Sequence, residues 1–156
     1  ITRTIPVNGR FSPRQKACYQ AVLDVMDKTM KHIHPGMSLY ELNQQVQEEL
    51  TAKHIELGLY TEKEHKNADQ PLWKKYFPHG VSHFMGLDVH DLGDKHTLLE
   101  KGMVITWEPG LYIPEEGIGI RIEDDILVDE HPVNLSASIP KSPDEIETLM
   151  QKTDTP

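Results

Sequence analysis

Within the thirteen residues His79–Asp91, HGVSHFMGLDVHD, three histidines stand at offsets of four and seven, with two glycines and two aspartates between and after them. Farther along, Glu108 closes MVITWE just before Pro109-Gly110, and Glu123 follows Arg121 in IGIRIEDD. Imidazole and carboxylate without thiolate make a hard-to-borderline donor set, suited to Mn²⁺, Fe²⁺, Co²⁺ or Zn²⁺. Such an ion can activate a water and polarise a carbonyl, while spare histidines handle protons or an oxyanion.

The element carrying the histidines decides how many can meet on one ion. On a helix, His79 and His83 would lie ~6 Å apart and could share a metal. On a strand the same offset spans roughly 13 Å. Pro78, Gly80, Val81 and Gly86 disfavour a helix, so Val81–Leu87 reads as a strand. At most one of His79 and His83 then ligates a given ion, unless the chain bends at Gly80. His90 needs a turn beyond Gly86 to come back. Period-two alternation puts Val104, Thr106 and Glu108 on one face of a strand over Met103–Trp107. In a strand over Ile118–Val128 it sets the apolar Ile118, Ile120 and Ile122 against Gly119, Arg121 and Glu123.

Ahead of these strands, Ile1–Val7 alternates like a strand and turns at Asn8-Gly9. Ser12-Pro13 opens a helix, a capping hydroxyl followed by proline, with Ala17, Ala21, Val22, Val25, Met26, Met30 and Ile33 at helical spacing; Pro35-Gly36 stops it. Ser38 and Glu41 form a capping box for a second helix, buried through Leu42, Val46, Leu50 and Ile55 and ended by Gly58. Residues 59–76 read as a loop with a short helix, and Asp144–Met150 as a final helical turn or two. Helices followed by strands predict an α+β domain with an antiparallel sheet.

A chain of 156 residues suffices for one domain. Its net charge of −9 argues against nucleic-acid or anionic-membrane partners. No apolar run approaches the ~20 residues that span a bilayer. Cys18, the only cysteine, excludes an intrachain disulfide, suits a cytoplasmic setting and reads as helix packing. Asn134-Leu-Ser136 matches a glycosylation sequon by chance. His32, His34, His54, His65, His96 and His131 read as solvent-facing, Asp88 and Asp91 as turn-holding, and Trp107 as either core or pocket wall. A chain opening at Ile1 in mid-strand reads as a piece of a longer protein.

Three segments, HGVSHFMGLDVHD, MVITWEPGLYI and GIGIRIEDDILV, together resemble the metal-binding motifs of the Xaa-Pro peptidases, aminopeptidase P and prolidase. ITRTIPVNGRFSPRQ and DEIETLM fit the same pattern, so the resemblance covers nearly the whole chain. It is closer to aminopeptidase P than to prolidase, through SHFMGLDVHD and the short GIGIRIEDD approach. The resemblance implies the C-terminal half of a pita-bread fold, two helices and then a curved antiparallel sheet, over residues 1–156. It implies a cofactor of two divalent ions, usually manganese, sometimes cobalt or zinc, and hydrolysis of the bond between an N-terminal residue and proline. That amide carries no N–H for a peptidase to grip. By resemblance, His83 binds one ion, Glu108 is a ligand that helps move the proton of the attacking water, and Glu123 bridges both ions. His90 meets the substrate carbonyl and His79 lines the pocket near the proline, with Arg121 and Thr2 standing behind the ligands. The implied partners are peptides with proline second and, for the parent protein, further copies of itself.

Two aspartates of the family pattern, the second placed just before ITRT, are not among these residues. This chain alone is therefore expected to bind metal weakly, turn over negligibly, and be poorly soluble or paired with a partner. The alternatives are a prolidase, limited to dipeptides, and a metal-free pita-bread module that binds peptides or proteins.

Overall fold

The computed structural model describes residues 1–151. Helix α1 (Pro13–Thr29) begins where serine and proline predict it, with a reciprocal capping box between Ser12 and Gln15, and runs on through a 3₁₀ turn to His32. Helix α2 (Leu39–Glu56) starts on the Ser38/Glu41 box. Gly36 and Gly58 follow the two helices at φ 90° and 75°, a left-handed backbone that glycine adopts without strain. Two short helices, α3 (Glu62–Asn67) and α4 (Trp73–Tyr76), occupy the region expected to be loop with one short helix. The final helix, α5 (Pro143–Gln151), is longer than the expected turn or two. None of the described helices is long and apolar enough to cross a membrane.

The strands are shorter and more numerous than the alternation suggests. They are β1 (Val104–Trp107), β2 (Gly110–Ile113), β3 (Ile118–Arg121), β4 (Asp124–Leu127) and β5 (Val133–Asn134). The single strand expected over Ile118–Val128 is two, in different sheets: β4 lies between β1 and β5, and β3 pairs with β2. The two sheets nevertheless share one antiparallel register. Extending Trp107↔Asp124 by one step opposes Glu108 to Glu123, and extending Gly110↔Arg121 by one step opposes Pro109 to Ile122. Ile122 N–H still reaches the Pro109 carbonyl, at 3.3 Å. The arrangement is one long hairpin, interrupted at its middle beside a proline that cannot donate to the ladder.

Ile1–Val7 and Val81–Leu87 are not regular strands. Thr2 makes a single bridge to Glu123, and the Thr4 hydroxyl, bonded to Arg121 N and O, replaces the next ladder bonds. The 81–84 segment runs along β1 through Glu108 N–H to Val81 O, Thr106 N–H to His83 O, and a Phe84↔Ile105 bridge, then leaves it at Gly86. The core joins Tyr19, Val22 and Met26 of α1, Leu42, Val46 and Leu50 of α2, and Ile105, Trp107, Ile120 and Ile122 of the hairpin. Trp107 is therefore core. Cys18 is fully buried, and burial raises its thiol above the usual range.

His54 corrects the expectation that the helix and loop histidines face water. It is completely buried, its Nδ1 is 3.2 Å from the Tyr60 hydroxyl, and it packs edge-on against Tyr60 and Tyr76. Burial lowers its pKa to about 4. His65 is also partly covered, stacked on Tyr60.

Candidate metal centre

The hairpin interruption carries the candidate site. Ile105 and Trp107 point into the core, so the alternate positions, Thr106 and Glu108, face the other way. On the opposite strand Ile120 and Ile122 fill the core and leave Arg121 and Glu123 on the Glu108 side. Two carboxylates directly opposed across a hairpin repel, and Glu108 registers it. Its pKa is raised by burial and then by Glu123, against the opposing charges of His79, His83 and Arg121.

His83 completes the cluster. One donor atom each from His83, Glu108 and Glu123 lie within 4.8 Å of one another, and His83 Nε2 is 3.7 Å from Glu108 Oε1. Its backbone is fixed by N–H donation to Thr106 Oγ1 at 3.0 Å. Its Nδ1 is 2.9 Å from the Phe84 carbonyl, which can only accept. In the neutral ring that bond puts the proton on Nδ1 and leaves the Nε2 lone pair facing the carboxylates, the orientation a ligating histidine needs. The three half-buried donors, with like charges on two of them, fit a divalent cation.

The loop after Phe84 folds back and brings the exposed His90 ring to 4.4 Å from that of His83. Asp91 closes it: its N–H donates to Phe84 O, and its carboxylate accepts from Leu87 N–H and Leu92 N–H. Asp88 contributes only its backbone carbonyl, to Gly86 N–H. Gly93 permits the closure, since a Cβ there would run into the Phe84 ring.

His79 sits on the other flank. Its Nδ1 is 2.8 Å from Gly80 O, so in the neutral ring Nε2 accepts from the Tyr112 hydroxyl, also at 2.8 Å. Tyr112 had no role in the sequence expectations. Burial raises its phenol, and the charge of Arg121 works against that rise. A signal was available: Glu108, Gly110 and Tyr112 share a face by alternation, and Tyr112 stands opposite Gly119, which leaves its ring room. Thr2 donates a short hydrogen bond to Glu123 Oε2. His83, Glu108, Glu123, His79, His90, Arg121 and Thr2 are thus all gathered around the hairpin interruption.

A profile of Metallopeptidase family M24 matches residues 1–130. The Xaa-Pro aminopeptidase of Escherichia coli is 43% identical over 163 aligned residues, covering 96% of this chain and 37% of that protein. The human Xaa-Pro aminopeptidase 3 is 40% identical, covering 96% and 32%. A zinc-substituted E. coli aminopeptidase P in complex with product superposes with a TM-score of 0.89 at 41% identity, covering 100% of this chain and 38% of that one. The chain therefore spans less than two-fifths of the length of these relatives. With that coverage by the family profile and that identity along nearly all its length, the chain belongs to Metallopeptidase family M24.

Proposed function

We propose that this chain supplies part of the two-metal centre of an Xaa-Pro aminopeptidase, with His83, Glu108 and Glu123 as ligands and Mn²⁺ as the preferred ion, Co²⁺ or Zn²⁺ substituting. The observation that carries the proposal is the convergence of these three donors within 4.8 Å, the two carboxylates at opposed positions of one hairpin and His83 on the segment beside it. Bound divalent ions would supply Lewis acidity, acidifying a water and polarising the scissile carbonyl. Around them, Glu108 takes the proton of the attacking water and returns it to the leaving proline nitrogen. His90 donates to the carbonyl oxygen as charge develops there. His79 and Tyr112, bonded to each other, form the wall that receives the proline ring, and Arg121 holds the negative field of the carboxylates in check.

The substrates would be peptides with proline second, acted on by a cytoplasmic homo-oligomer of the whole protein. Prolidase is the less favoured choice, since the relatives above are aminopeptidases. The two aspartates of the family pattern are not among these 156 residues, so the chain alone should bind one ion weakly and hydrolyse little.

The test is Mn²⁺ titration of this chain and of His83→Ala, alongside hydrolysis of a proline dipeptide and a longer peptide with proline second. Measurable Mn²⁺ binding, lost in His83→Ala, with negligible turnover is expected. Robust turnover by this chain alone, or binding indifferent to His83→Ala, refutes the assignment. In the whole protein, hydrolysis of the dipeptide only would make it a prolidase.

A further inference from the structure

We infer that Arg3, held by the buried carboxylate of Asp124, is a positioning residue that clamps the backbone of Glu123 and thereby sets how well the hairpin interruption holds metal. This rests on the metal-centre reading, but the clamp has a signature of its own that needs no metal.

A guanidinium has five N–H donors in a fixed fork, and Arg3 makes five contacts with them. Nη1 donates to Thr2 O at 2.9 Å and to Glu123 O at 2.8 Å. Nη2 donates to Asp124 Oδ1 at 2.5 Å and to Ile139 O at 3.3 Å, and Nε to Pro140 O at 3.0 Å. The Nη1 contacts fall on the two carbonyls that also accept from Glu123 N–H and Thr2 N–H, at 3.0 and 3.1 Å. One side chain thus staples both halves of the one backbone bridge that the first segment makes among the described residues, and that bridge contains the ligand Glu123.

Asp124 fixes the fork in turn. Its side chain has no exposure, and its other oxygen accepts from Asn134 Nδ2 at 2.6 Å and Lys141 Nζ at 3.3 Å. Lys141 also pairs with Asp27 at the far end of α1. The first segment, β4, β5 and the approach to α5 therefore converge on one carboxylate, one residue from Glu123. Asn134, its amide spent on Asp124, is bound into this network and not presented as a glycosylation site. Lysine at position 3 could keep the ion pair but not the fork, so the charge would survive and the staple would not.

The experiment uses this chain, wild type, Arg3→Lys, Asn134→Ala and Lys66→Met. The last removes an exposed ion pair with Glu62 on α3 that touches neither Asp124 nor the Thr2–Glu123 bridge. Metal-free amide hydrogen exchange is read first. Arg3→Lys should speed exchange at Thr2 and Glu123 by at least ~10-fold while α1 and α2 amides stay as in wild type; Lys66→Met should leave the pair unchanged. Asn134→Ala, which spares both charges and loosens Asp124, should give the same selective effect at smaller amplitude, and decides the matter if Arg3→Lys does not fold. Mn²⁺ titration is read second, with affinity expected to fall ~10–100-fold in Arg3→Lys, as for other residues that orient a ligand. Unchanged exchange at Thr2 and Glu123 in every folded variant, or loosening spread evenly over α1 and α2, overturns the clamp. Wild type that binds no Mn²⁺ would count against the metal-centre reading and leave the exchange result to decide the clamp.

Discussion

Glu108→Gln should stabilise this protein without metal and cripple it with metal. Within 4.8 Å of each other, two full negative charges in a partly solvated setting repel by about 3–4 kcal/mol or more, taking an effective dielectric of ~20. Arg121 offsets part of this at Glu108, which brings the expected gain down to about 1–2 kcal/mol. The pH dependence fixes the sign. A carboxyl whose folded pKa is raised contributes nothing unfavourable below its unfolded pKa, near 4.5, and destabilises increasingly as pH rises through the folded value. The variant's advantage should therefore be full at pH 7.5 and vanish near pH 4. Urea unfolding in EDTA, followed by fluorescence of the buried Trp107, measures it. Saturating Mn²⁺ should invert the order: at 100 times its dissociation constant the wild type gains about 2.7 kcal/mol, and Glu108→Gln gains far less. A metal-free Glu108→Gln that is less stable than wild type at pH 7.5 refutes the like-charge account of the site.

Two further predictions rest on single residues. His54 is buried with a pKa of about 4, so the unfolded chain takes up its proton first, and stability present above pH 6.5 is lost as pH falls toward 4. Wild type should lose about 2–3 kcal/mol between pH 7 and 4.5 relative to His54→Phe, measured by urea unfolding at both pH values; equal losses would show that the ring is accessible to protons. Gly93→Ala should push the Phe84 ring off its seat, cost about 1–3 kcal/mol and weaken Mn²⁺ binding by displacing the neighbouring His83. Unchanged urea midpoint and Mn²⁺ affinity would mean that the loop closes without that contact.

What sequence conveys here follows a physical division. The helices are legible because caps and apolar stripes are local: Ser12-Pro13 and the Ser38/Glu41 box sit where both helices begin. The faces of Glu108 and Glu123 are legible because alternation fixes them. The break between β3 and β4 is not, because it comes from Pro109 on the opposite strand, a partner known only once the hairpin register is set. The return of His90 depends on a loop closed by Asp91 and Gly93, again a tertiary matter. His54 lies within reach of spacing, since Leu42, Val46, Leu50 and His54 recur every four residues and all are buried, although the polarity of imidazole points the other way. The role of Tyr112 is not local, because a phenol on a strand gains its partner, His79, from a segment far away in sequence.

The opposed placement of Glu108 and Glu123 also governs which changes of chain length this protein can absorb. One extra residue within Ile118–Arg121, unmatched on the facing strand, would slip the pairing, turn Glu123 toward the core and bring Ile122 out in its place. Two unmatched residues there would restore the face yet carry the carboxylate roughly 7 Å along the strand, out of reach of its partner. The Pro114–Gly117 connection lies beyond the paired residues and can lengthen as a loop without moving either carboxylate. Growth at the hairpin tip is therefore tolerated, while an unmatched insertion in one of its paired strands separates the two carboxylates.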